Sequence, residues 1–145
     1  MEGQEFLYKA IEEQVEDGLD VIQHLSRTTL VPIKKFPAVV IEDEPYDFTQ
    51  ELGGSEIVTK VENCNLFIII KSVNTNELSE AKYLDGKQRL EKLTLDTMAV
   101  ILERVPTYNK IGSLKFGRGE MFDGIISSIP VMYNIIPVEL IIIAN

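Results

Sequence analysis

Two stretches of helical periodicity, each followed by a block of strand-like sequence, constrain this chain more than any other feature. In the first, Glu2 to Leu25, apolar Leu7, Ile11, Val15, Leu19, Ile22 and Leu25 recur at steps of three and four. Glu12, Glu13, Glu16, Asp17 and Asp20 occupy the other faces, so the pattern predicts an amphipathic helix. Early acidic residues suit the positive end of its dipole. Gly18 opposes the helix by about 1 kcal/mol relative to alanine. The second helical stretch starts at Asn74-Thr75-Asn76-Glu77, where side-chain oxygens precede the periodic residues and can cap free amides. It runs from Glu77 to about Arg104 on Leu78, Ala81, Leu84, Leu90, Leu93, Met98, Ile101 and Leu102. Asp85-Gly86 predicts a kink or a division, and Pro106 ends the helix.

The intervening sequence has the period of strands. Ser26 to Pro37, with Pro32 and Pro37, predicts a linker, because proline has no N–H for a sheet ladder. Ala38-Val39-Val40-Ile41 predicts a strand that Glu42-Asp43-Glu44-Pro45 closes, and Tyr46-Asp47-Phe48 opens a possible second one. Gly53-Gly54 marks a turn or loop. Beyond Ser55, Ile57, Thr59 and Val61 share one face, and Leu66, Ile68 and Ile70 share another. The change of phase at Asn63-Cys64-Asn65 predicts either a bulge or a turn. After Pro106, candidate strands are Leu114 to Phe116, Met121 to Ser127, Val131 to Ile136 and Val138 to Ile143, with turn signals at Gly117-Arg118-Gly119 and Asn134. Strand blocks between helices, without regular βαβ alternation, predict an α+β fold: a largely antiparallel β-sheet with two long helices packed on it. The 145 residues suit a single domain over residues 1–145.

Composition narrows the function. Fourteen basic residues face 23 acidic ones, for a formal net charge of −9. The one basic doublet is Lys34-Lys35. A nucleic-acid binder carries a basic patch or stripe, so tight nucleic-acid binding is not expected. A wall of like charge past which DNA slides is compatible with the charge. No apolar run approaches a membrane span. Cys64 is the single cysteine, which rules out an internal disulfide. The acidic N-terminus lacks the pattern of a signal peptide, so synthesis in the cytoplasm is expected.

The chemistry-bearing residues form no catalytic motif. His24 is the only histidine and reads as a partly buried helix-end residue without companions for a metal site. Cys64 reads as a small buried hydrophobe. Glu42-Asp43-Glu44 lacks the spaced ligands and glycine of a calcium loop. Gly117-Arg118-Gly119 lacks the lysine and following helix of a phosphate loop. The expectation is therefore no catalytic residue, no cofactor and no metal. Surface for association remains. Asp43 to Ser55 joins acids to two aromatic residues and two glycines, so Asp43, Glu44, Tyr46, Phe48, Gly53 and Gly54 are the candidate partner interface; an ordinary hairpin loop is the competing reading. The strand from Ile136 to Ala144 pairs either within the sheet or with a neighbouring subunit.

Over its whole length the chain resembles the tail terminator (tail completion) proteins of long-tailed bacteriophages. The resemblance lies in its size, the acidic first helix, the proline-flanked strand Phe36-Pro37-Ala38-Val39-Val40-Ile41, the second long helix between strand blocks, and the closing Pro137-Val138-Glu139-Leu140-Ile141-Ile142-Ile143 strand. It implies a non-enzymatic virion protein of the tail or neck. Such a protein forms a ring, commonly a homohexamer, at the head-proximal end of the tail tube, ends tube polymerisation and joins tail to head. The implied partners are further copies of itself, the tail tube protein and head–tail connector proteins, with DNA passing through unbound and no membrane involved. The alternatives are a head-closure or adaptor protein of the phage neck, or a small cytosolic ligand-binding domain or enzyme.

Overall fold

The computed structural model describes residues 2–17, 22–44, 58–72 and 79–144. The elements are α1 (Glu2–Asp17), β1 (His24–Ser26), β2 (Ala38–Asp43), β3 (Val58–Lys71), α2 (Glu80–Arg104), a short 3-10 turn (Val105–Thr107), β4 (Ile111–Phe116), β5 (Glu120–Ile126) and β6 (Ile129–Ala144). The strands form a six-stranded sheet in the order β1-β2-β3-β6-β4, with β5 also paired to β6. Only β1 and β2 run parallel; the other pairings are antiparallel. The α+β class and the largely antiparallel sheet are as the sequence predicts.

Both helices pack on one sheet face. Phe6, Leu7, Ala10 and Ile11 of α1 and Leu90, Leu93 and Ile101 of α2 meet Cys64, Leu66, Ile68, Leu140 and Ile142 in the main core. Burying a side chain of this kind stabilises by about 1.5–3 kcal/mol, which is why the amphipathic faces set the helix orientations. Inside α2, buried Thr94 and Thr97 donate to Leu90 O and Leu93 O, each at 2.7 Å, so neither hydroxyl is left unpaired.

Several local expectations are corrected. The first helix is described over Glu2–Asp17 and does not reach Leu25, because His24–Ser26 forms the parallel strand β1. Leu25 therefore packs against the core from a strand. The predicted linker loses its first residue to that strand. Helix α2 begins at Glu80, where Ser79 Oγ accepts from Lys82 N at 3.2 Å; the expected start at Asn74 to Glu77 lies outside the described residues. Asp85-Gly86 does not divide the helix. Gly86 is buried, and a Cβ there would stand 3.0 Å from Met132 Sδ, so the glycine serves close packing.

No bulge or turn exists at Asn63-Cys64-Asn65. Strand β3 pairs with β6 in one unbroken register from Val58 to Lys71. The apparent change of phase arises because Glu62 and Cys64 take buried positions on the same parity as Leu66 and Ile68. Asn134 likewise is not a turn. It lies within β6 and donates to Thr94 Oγ1 at 2.9 Å, tying sheet to α2. The turn falls instead at Ser127-Ser128, both with positive φ (51° and 65°), between the paired Ile126 and Ile129.

Val131–Ile136 and Val138–Ile143 are thus one strand, crossed by Pro137. In an antiparallel ladder a residue's N–H and C=O face the same neighbour. Pro137 O accepts from Gly117 N at 2.7 Å, so the missing N–H faces the same side. That side is where β4, paired to Val138–Ile142, gives way to β5, paired to Ile129–Ile135. A central strand tolerates proline here because no ladder bond is lost. The C-terminal strand pairs internally, between β3 and β4.

Candidate docking face

The sheet face away from the helices is also apolar. Alternation along the strands places Val40 of β2, Phe67 and Ile69 of β3, and Val131 and Tyr133 of β6 on it. Part is closed by the segment leading into β2: Ile33 and Phe36 pack with Ala38, Val40, Ile69 and Val131 in a second, smaller core. The chain enters β2 through a cis Phe36–Pro37 peptide, with Pro37 O accepting from Gln23 N at 2.8 Å.

The covering is incomplete. A cleft of about 460 Å³ remains between Val31-Pro32-Ile33 and the β5–β6 hairpin at Gly124-Ile125-Ile126. Its floor is Val40, Phe67, Ile69 and Tyr133, and Phe122 stacks on Tyr133 with ring centroids 5.5 Å apart. Two aliphatic side chains are nearly free, Leu30 (88% exposed) and Ile125 (75% exposed). Single exposed aliphatics are common on soluble proteins. Ile125 lines the cleft itself, and Leu30 stands in sequence between Thr29 and Val31, which line it; exposed apolar patches mark interaction sites. Among the described residues, no charged side chain lines the cleft. Exposed Lys34 and Lys35 follow Ile33 directly, and exposed Lys71 continues the Phe67-Ile69 face of β3. Glu42, at the opposite end, accepts from Thr29 Oγ1 at 3.2 Å.

The residues singled out from sequence lie elsewhere or outside the description. Asp43 and Glu44 are half-buried at the end of β2 and stitch it to β3. Asp43 Oδ1 accepts from the Cys64 thiol at 3.2 Å, Glu44 Oε1 accepts from Asn65 Nδ2 at 3.0 Å, and Glu44 N donates to Asn63 O at 3.1 Å. Tyr46, Phe48, Gly53 and Gly54 lie outside the described residues. Glu44 also borders a smaller depression of about 220 Å³ with Lys115 and Gly117. The cleft residues were missed because Leu30 to Ile33 reads as linker and Ile125-Ile126 as the end of a strand. The signal available was an apolar Leu-Val-Pro-Ile cluster in a segment with no strand or helix period.

The other chemistry-bearing residues have structural surroundings. Burial, then the hydrogen bond to Asp43 and its charge, push the Cys64 thiol far above its ordinary range. His24 Nε2 stands 3.1 Å from Ser26 Oγ, which donates to Thr28 O at 3.2 Å. Glu62, only 3% exposed, is a buried carboxylate that sequence reading left unremarked. Its Oε2 accepts from Gly3 N at 2.7 Å, and its Oε1 lies 2.9 Å from Lys60 Nζ, an ion pair without an aligned hydrogen bond. The carboxylate thereby meets the positive end of the α1 dipole. Among the described residues no group of three or more His, Cys, Asp or Glu is placed to hold a metal ion, and no helix is long and apolar enough to cross a membrane. Compared with protein-family models and with curated proteins, the chain matches none.

Proposed function

We propose that this chain is a structural assembly protein that docks on other protein subunits, in the manner of the tail terminator proteins it resembles. It forms a ring at the head-proximal end of a phage tail tube, ends tube polymerisation and presents a surface to the head–tail connector. The observation that carries the docking role is the apolar cleft between Val31-Pro32-Ile33 and Gly124-Ile125-Ile126, on a sheet whose other face the helices already cover. Ring assembly uses heterologous contacts, in which one face of a subunit meets a different face of the next. The cleft supplies a concave face for such a contact. The net charge of −9 suits a lumen along which DNA slides without adhering.

Electron microscopy of particles assembled without this gene product tests the reading. Overlong tail tubes unattached to filled heads are the expected result. Tails of normal length beside unjoined or leaking heads would move the protein to a head-closure or adaptor role. Unaffected particles would reject both. A ligand-binding domain would then be the reading to pursue, by thermal shift with metals and metabolites.

A further inference from the structure

We infer that the cleft between Val31-Pro32-Ile33 and Gly124-Ile125-Ile126 receives the outer ridge of helix α2, Leu95 to Leu102, of a second copy of this chain. The inference rests on the proposed assembly role and names the subunit contact within it. Three observations carry it. The first is that two surfaces each lack a layer. A sheet is stably built when its apolar faces are covered by helices or by another sheet. Both helices here lie on one face. On the other, the cleft of about 460 Å³ floored by Val40, Phe67, Ile69 and Tyr133 stays open. Helix α2 has the converse surplus. Its buried side is Gly86, Leu90, Leu93, Thr94, Thr97 and Ile101. On the opposite side Leu95 is 57% exposed and Leu102 49%, Ala99 is exposed, and Met98 is half-buried at the flank. Steps of three and four join these four residues into one apolar stripe two turns long. Leu84, exposed as well, continues it beyond Gln88.

The second is shape. The cleft floor crosses β2, β3 and β6, and β5 forms its margin. Three strand spacings of about 4.8 Å make about 14 Å. A helix with its side chains is about 10–12 Å across, so the trough admits one helix. A ridge seated there covers both apolar surfaces in one contact. Two ridges packed on each other would leave the cleft bare.

The third is charge complementarity. Exposed Lys34 and Lys35 follow the wall residue Ile33, and exposed Lys71 continues the floor face of β3. Exposed Asp96 and Glu103, seven residues apart, stand on one flank of the ridge. Among the described residues none of these five side chains forms a salt bridge. On a chain of net charge −9, a basic rim beside an apolar cleft favours a ridge flanked by acids. Opposite charges at a rim act mainly on the association rate and on register. Ridge and cleft lie on opposite sides of the sheet, so one subunit can use both at once. Their contact is heterologous and propagates from copy to copy, as a ring requires.

Complementation between two variants tests this. Ile125→Asp spoils the cleft, and Leu95→Glu with Leu102→Glu spoils the ridge. Sedimentation equilibrium of the full chain is expected to show concentration-dependent association, weakened at least tenfold in each variant alone. An equimolar mixture of the two is expected to form a 1:1 dimer and nothing larger, because one intact ridge and one intact cleft remain. Lys34→Glu with Lys35→Glu should weaken association and reduce its salt sensitivity, as should Asp96→Lys with Glu103→Lys. All four changes in one chain should bring association back toward that of the wild type. Circular dichroism and melting curves show that each variant is folded; Val31→Asp is the second cleft variant, and Leu95→Gln with Leu102→Gln the second ridge variant. A wild-type chain that stays monomeric up to millimolar concentration would overturn the inference. So would folded variants that fail to pair, or a fourfold charge swap as weak as either half. A cleft variant that dimerises as strongly as wild type would assign the ridge to a helix pair and overturn it too. None of these outcomes changes the length of tails assembled without the protein, so failure here is distinguishable from failure of the proposed function.

Discussion

At the residue scale, Glu62 and Gly3 depend on each other. A Cβ on Gly3 would lie 2.6 Å from Glu62 Oε2 and 3.1 Å from Leu140 Cδ1, so the close approach of helix start to carboxylate requires glycine. Glu62→Ala removes the acceptor of a buried amide. A cost of about 2–3 kcal/mol in urea denaturation is expected, since hydrogen bonds to charged groups are the stronger class and an orphaned donor adds a penalty. Glu62→Gln keeps an oxygen for Gly3 and loses the Lys60 ion pair, so it should cost less. Cys64 gives a pH prediction. Its folded-state thiol is raised above the ordinary value of 9.0, by burial first and Asp43 second. The stabilisation is complete below that value. It falls as pH rises past it, because the unfolded chain releases the proton while the folded one retains it. Denaturation of the wild type between pH 8 and 10.5 should therefore lose stability more steeply than Cys64→Ala. Equal slopes would refute the assignment.

At the element scale, β6 carries most of the sheet. It pairs with β3 from Val131 to Ala144 and with β5 and β4 in turn on its other side. Asn134→Ala removes the bond to Thr94 but leaves that hydroxyl on Leu90 O. A loss of about 1 kcal/mol by chemical denaturation is expected. The hairpin before β6 turns on two serines in the left-handed region, a conformation that asparagine and glycine adopt more readily. Ser127→Asn with Ser128→Gly should raise stability by about 1 kcal/mol, visible as a higher urea midpoint with unchanged slope. A fall in the midpoint would show that the serines serve another purpose.

At the scale of the whole molecule, the two sheet faces do different work. One is buried under helices and accounts for most of the core; the other is half closed by the Leu30–Pro37 segment and keeps an apolar cleft. Ile125, three-quarters exposed, contributes little to folding. Ile125→Asp should thus leave the melting temperature within a degree or two of wild type while altering association. The contrasting control is Leu66→Ala, fully buried between the helices and the sheet. It should cost about 2–5 kcal/mol, measured by the same melts.

Periodicity alone determined the α+β class, the two helices and most strands, because the repeat of apolar residues follows directly from the geometry of each backbone. It carried α2 to its end at Arg104, since Pro106 acts locally on the chain that precedes it. Where polar residues stand in the core the same logic failed. Glu62 and Cys64 disguised a single long strand as two, and Asn134 and Pro137 disguised β6 likewise. Their tolerance depends on partners distant in sequence: Gly3 for Glu62, Asp43 for Cys64, Thr94 for Asn134 and the gap between β4 and β5 for Pro137. Only tertiary structure supplies such partners. That the first helix stops short of His24 was likewise decided by tertiary pairing, because β1 joins β2 across a stretch whose apolar spacing also fits a helix. The cleft belongs wholly to that level. Ile33, Val40, Phe67 and Ile125 are far apart in the chain, and only the folding of one segment across the sheet brings them together around the cleft.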